Sequence, residues 1–146
     1  GKRVFEFIEN VNSENIKDVD IVTVMGFFNN GGSNNGTIND EPNGTESGSM
    51  VAQYKYVIEY LLGLKQDLRI ILISPHRPKA NDCISRTELM REIANLYGLP
   101  FIDVYNNGGF NQFTYDLYLV DDVHSSTEGY KKEAEYITGQ VNSIFS

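Results

Sequence analysis

Asp121 and His124 stand three residues apart in the run "VDDVHSSTEGYKKEAEYI", residues 120 to 137. A carboxylate three residues ahead of an imidazole can fold back in a tight turn and accept its Nδ1–H. That fixes the tautomer and leaves Nε2 as a base. Base and orienting carboxylate are two of the three members of an acyl-transfer triad, the third being a nucleophilic hydroxyl. Asp-x-x-His is a short pattern, and a histidine beside a helix start is also an ordinary polar cap, so its surroundings decide.

Other chemistry-bearing groups are sparse. His76 and Arg77 occur in "SPHRP", where they would contact a substrate or be solvated. Phe27 and Phe28 would line a pocket or join the core. Asp103, Asp121, Asp122 and His124 make a conceivable ligand set for a metal-dependent phosphoesterase, but only if they converge. The single cysteine, Cys83, excludes an internal disulfide and offers no metal-ligand spacing. No metal and no cofactor are expected.

These groups need a scaffold, and three apolar runs supply it: "DIVTVMGFF" (20 to 28), "LRIILIS" (68 to 74) and "PFIDVY" (100 to 105). They do not alternate, which predicts parallel strands buried on both faces. Helical stripes lie between them. Met50, Tyr54, Val57, Ile58, Leu61 and Leu62 form one, and Leu89, Ile93 and Tyr97, ending at Gly98, form another. Tyr130, Ala134, Ile137, Val141 and Ile144 form a third, with a capping box from Ser125 to Glu128. Val4, Phe5, Ile8 and Val11 predict a fourth helix near the N-terminus. The alternation is that of an α/β layer fold, with a thin sheet whose open edge needs a neighbour.

Residues 29 to 49, rich in Asn, Gly, Ser and Thr, follow the first strand at the edge where open α/β sheets bind ligands. A loop of this length is either a flexible connector or functional. The 146 residues, 40% of them hydrophobic, suit a single domain over 1–146. A formal charge of −8, with 12 basic against 20 acidic residues and no basic cluster, argues against nucleic acid and anionic membranes as partners. No apolar run approaches the roughly 20 residues of a membrane span. The first ten residues lack the apolar core of a secretory signal, so the chain is either unprocessed or begins partway through a longer one.

The run "DDVHSSTEGYKKEAEYI" resembles the last block of the SGNH, or GDSL-type, hydrolases, in which Asp-x-x-His precedes a small polar stretch, a Gly, an aromatic and a helix. Gly129 and Tyr130 fall at those positions. "VDIVTVMGFFNN" resembles the family's third block, a strand running into Gly-x-Asn-Asp. The resemblance continues in order through "GTINDE", "YKYVIEYLL", "RIILISPHRP" and "LPFIDVY". It implies a flavodoxin-like three-layer α/β/α sandwich with a parallel sheet, and hydrolysis of acyl or acetyl esters, often on carbohydrates or lipids. Carried over by position, His124 would be the general base, Asp121 its partner, and Asn29 an oxyanion donor through its side-chain amide.

Two departures accompany the resemblance. The glycine of Gly-x-Asn-Asp is displaced to Gly26 and the final Asp is Asn30, so the donor is Asn29 or, with a slip of one, Asn30. The family's first block, a Gly-Asp-Ser turn, is nowhere in the sequence. Ser33, Ser47, Ser49 and Ser74 do not sit in a strand-to-helix elbow. The resemblance therefore implies that the first strands and the nucleophile lie on an upstream segment or another chain. Gly1 would then be the second-block glycine of the oxyanion hole, or a residue left by cloning. The expected substrate is a small-molecule or glycan ester; the alternative is an inactive carbohydrate-binding relative. These residues alone are expected to be catalytically silent.

Overall fold

The computed structural model describes residues 2–30, 34–80 and 83–146. In chain order the helices are α1 (Ser13–Ile16), α2 (Met50–Leu64), α3 (Ile84–Tyr97), α4 (Val104–Asn107), α5 (Tyr115–Tyr118) and α6 (Thr127–Phe145). The strands are β1 (Ile21–Met25), β2 (Arg69–Ile73) and β3 (Phe101–Ile102). They pair in parallel in the order β1-β2-β3, with Val24 opposite Leu72 and Ile73 opposite Ile102.

The central strand explains the layering. Ile70 and Leu72 point to one face and join Val24, Tyr54, Ile58, Met90 and Ile93, so α2 and α3 cover that side. Ile71 and Ile73 point to the other, where Ile102, Val104, Ile137 and Val141 meet them from β3, the turn after it and α6. These four β2 side chains, Ile70 to Ile73, are 3% exposed or less, whereas Arg69 at the start of the strand is exposed; each of the four contributes about 1.5–3 kcal/mol of burial. The fold is α/β, a three-stranded parallel sheet between helices in the flavodoxin-like α/β/α arrangement.

Several expectations change in detail. Residues 4 to 11 do not make a helix. A 3-10 turn at Val4–Glu6 is followed by the separate four-residue α1, which Asn12 caps by accepting from the backbone N–H of Glu14 and Asn15. Arg3 holds the first turn in its own way, with Glu6 accepting from its backbone N–H. The third strand is only two residues long, because Asp103 caps α4 immediately after it. The first strand is not buried on both faces. Ile21 is 40% and Met25 47% exposed, on the side that α6 covers over β2 and β3 but not over β1. Among the described residues nothing pairs with the outer edge of β1. The α6 stripe is rotated as well: Tyr136, Ile137, Val141 and Phe145 pack inward, while Tyr130 and Ile144 are exposed.

The described part of the long loop, from Asn34, is tied to α2 rather than loose. Gln53, fully buried, donates its amide to the carbonyls of Thr45 and Gly48 at 3.1 and 2.9 Å. The Lys55 ammonium, buried beneath the loop, donates to the carbonyls of Ile38 and Asp40. A buried cation is tolerable when paired in this way. The Ser49 hydroxyl donates to Asp40 at 2.6 Å, which holds that carboxyl below its ordinary range. Gly36, at φ +79°, leaves no room there: a Cβ would lie 2.2 Å from the Asp40 carboxylate.

Candidate active site

Asp121 and His124 meet as their spacing predicts. Asp121 Oδ1 accepts from the backbone N–H of Val123 and His124 at 2.8 and 2.6 Å, closing the turn, and Oδ2 lies 2.8 Å from His124 Nδ1. With two N–H donors and an imidazole on it, the Asp121 carboxyl is held down to about 2, the His124 backbone N–H being the largest cause. The pair stands in solvent, with side chains 72% and 54% exposed for His124 and Asp121. Among the described residues His124 Nε2 has no partner.

The turn is the tip of a short return of the chain. Val120 N–H donates to the carbonyl of His124 at 2.9 Å, Leu119 bridges Ser125, and Ser126 N–H donates to the carbonyl of Tyr118 at 2.8 Å. This backbone pairing shifts the helix cap by one residue from the expected Ser125. Ser126 caps α6, its hydroxyl accepting from Gly129 N–H at 3.1 Å. Ser125 instead turns inward, buried, and donates to Glu133 Oε2 at 3.1 Å. Glu128 pairs with Lys131 rather than completing a capping box.

Gly129 now has a physical reason. A Cβ there would fall 2.1 Å from the carbonyl oxygen of Tyr118, the same oxygen that accepts from Ser126. Gly129→Ala is expected to push α6 away from the turn and cost about 1–3 kcal/mol. A lowered urea midpoint with unchanged m-value checks it.

His76 is not in open solvent, although it lines the cavity in which His124 stands. It is 8% exposed, stacked on Phe110 at 4.8 Å with Phe28 at its edge. Its Nε2 lies 2.6 Å from the carbonyl of Val123 and its Nδ1 2.8 Å from Glu133 Oε1. Ser125 Oγ, His76 and Glu133 have the residue types of a triad but not its geometry. Serine and carboxylate approach the same nitrogen, Ser125 at 3.4 Å, while a carbonyl covers Nε2. The signal for this cluster in sequence is slight: a histidine after a buried strand, and a glutamate four residues before Ile137 in the last helix.

Around His124 opens a cavity of about 790 Å³, within the size of small-molecule sites. It lies at the C-terminal ends of β1 and β2, where open parallel sheets bind ligands. Met25, Gly26, Phe28 and Asn29 come from the end of β1, Asn35 from the long loop, and Arg86 from the first turn of α3; Tyr130 stands on α6. Phe28 thus lines the cavity, whereas Phe27, 1% exposed, belongs to the core. Arg86 spans the wall, donating to Asn35 Oδ1 at 2.8 Å and to the Phe27 carbonyl at 2.6 Å. Arg77 lies over the Tyr105 ring, 5.0 Å from its centroid, rather than in open solvent.

Asn29 and His124 share this cavity. The Asn29 amide donates to the carbonyl of Lys2 at 3.4 Å, the long limit of a hydrogen bond. Nothing is described of the Asn30 side chain, and Gly1 and Ser33 lie outside the described residues. The other serines are committed elsewhere: Ser74 Oγ accepts from Tyr105 N–H, Ser47 pairs with Thr45, and Ser49 caps α2. Asp103 does not approach Asp121, Asp122 and His124 as a ligand. It caps α4 and pairs with Arg91, and among the described residues no three His, Cys, Asp or Glu side chains converge.

No family model matches the chain, and no curated protein matches it. Solved structures do. One crystal structure is 18% identical with a TM-score of 0.77, over 96% of this chain and 70% of its own. A Lactobacillus plantarum protein is 15% identical with a TM-score of 0.75, over 92% of this chain and 70% of that one. A protein described as a possible lipase from Chitinophaga pinensis is 13% identical, with a TM-score of 0.71, over 98% and 80%. These likenesses establish an α/β/α fold shared with that protein.

Proposed function

We propose that these residues are the later part of an SGNH-type serine esterase, acting on acyl or acetyl esters of carbohydrates or similar small molecules. The carrying observation is the Asp121–His124 pair, with Nδ1 held at 2.8 Å and Nε2 without a partner among the described residues, beside a cavity of about 790 Å³. The shared fold with a protein described as a possible lipase supports the same reading.

The reaction follows from these groups. A serine hydroxyl attacks the ester carbonyl while His124 Nε2 takes its proton, and Asp121 stabilises the imidazolium that forms. Asn29, swung from its long bond to Lys2, and the Gly1 N–H would receive the oxyanion. His124 then returns the proton to the leaving alcohol, and water, activated the same way, releases the acid.

The serine would arrive on a segment upstream of Gly1 or on another chain. The outer edge of β1, unpaired among the described residues, and the exposed Ile21 and Met25 support a place for it. Along the same strand runs a cavity of about 510 Å³ walled by Phe7, Val22, Val24 and Leu61. Extending the chain with its native upstream residues is expected to produce p-nitrophenyl acetate hydrolysis that residues 1–146 lack. An extended, folded protein without hydrolysis would overturn the reading. Glycan binding by that inactive protein, indifferent to His124→Ala, would make it a carbohydrate-binding relative instead.

A further inference from the structure

We infer that His76, with Glu133 behind it, is a positioning residue for the Asp121–His124 pair, holding the Val123 carbonyl on one side of His124 and the Ser125 hydroxyl on the other. The inference rests on His124 being the base, but its test does not. The pair itself is exposed and held by one local turn, so its accuracy must come from what lies beneath. Beneath it is a buried polar cluster built from two distant parts of the chain. The carbonyl of Val123 can only accept, so His76 Nε2 carries a proton and donates to it at 2.6 Å.

One proton then lies between His76 Nδ1 and Glu133 Oε1, at 2.8 Å. The other carboxylate oxygen of Glu133 accepts from Ser125 Oγ at 3.1 Å. Val123 and Ser125 are the residues immediately before and after His124. His76 follows β2 directly, and Glu133 stands on α6, so strand, helix and turn are locked together. Phe110 stacks on the ring and Phe28 meets its edge, which leaves it 8% exposed. Loss of the Val123 bond would free the carbonyl between the two backbone N–H groups that Asp121 holds, and with it the register of Nδ1 on Oδ2.

The chain has only two histidines, which makes the test direct. Long-range proton–nitrogen NMR of residues 1–146 reads the ring tautomer of each, and removing His76 leaves His124 alone. The wild type is expected to show His124 as the single Nδ1–H tautomer. In His76→Leu, with circular dichroism unchanged, it should become a mixture of both tautomers, the Nδ1–H share falling at least twofold. His76→Gln, whose amide can still donate to Val123, should restore the single form. Should His76→Leu not fold, Glu133→Met reads the same signal, with a smaller shift in the same direction. Unchanged His124 signals in a folded His76→Leu or Glu133→Met protein would overturn the inference. Because the tautomer is read without substrate, absence of ester hydrolysis would count against the proposed function and not against this positioning role.

Discussion

Replacing His124 with alanine, in the protein that carries its nucleophile, is expected to lower kcat/KM for p-nitrophenyl acetate by about 10²–10⁴-fold. The loss comes from removing the only unpartnered imidazole nitrogen that the described residues place at the cavity. The second histidine cannot take over, since both its ring nitrogens are engaged and its ring is buried. Stability should hardly change, because the His124 side chain is 72% exposed and surface substitutions away from packed features are near neutral. The informative result is therefore a collapse of kcat with an unmoved thermal midpoint. A loss below about tenfold would mean that another group acts as the base.

Asp121→Asn should cost about as much, between roughly 10² and 10⁴ in kcat, through the tautomer. Asp121 Oδ1 is committed to the backbone N–H groups of Val123 and His124. An asparagine that keeps those bonds must turn its amide NH₂ toward His124 Nδ1. Two donors cannot face each other, so the imidazole moves its proton to Nε2 and the base is lost. KM should change little. The pH dependence has a definite sign. The Asp121 carboxyl is depressed from its ordinary 3.8 to about 2 in the folded chain. Its stabilisation of the turn is thus complete above 3.8 and lost as pH falls through about 2. Acid titration of the folded protein should show the His124 resonances shifting in that window, and the shift should vanish in Asp121→Asn.

The Asp121–His124 pair was legible in the sequence because it is local. Four consecutive residues contain the carboxylate, the two N–H groups it accepts from, and the imidazole, so spacing alone specifies the turn. The helices α2 and α3 were legible for a similar reason, since a periodic apolar stripe and the left-handed Gly98 at the end of α3 act within a few residues. The N-terminal stripe misled because Val4 and Ile8 are both buried by contacts other than a continuous helix. Apolar spacing cannot distinguish a 3-10 turn and a loop that pack inward from an α-helix that does.

What the sequence by itself determined is the α/β order of elements, the Asp-x-x-His turn, and the lack of a Gly-Asp-Ser block. Each depends on residues close together in the chain. Only the tertiary structure decided that Ser125 is buried and Ser126 is the cap, because the choice follows from Tyr118 and Leu119 pairing across the turn. It alone decided that His76 lies under His124 against Glu133, 57 residues further along. Contacts at such separation are chosen by how the sheet and α6 pack, and the free energy of that packing is spread over the whole core rather than written in any local pattern.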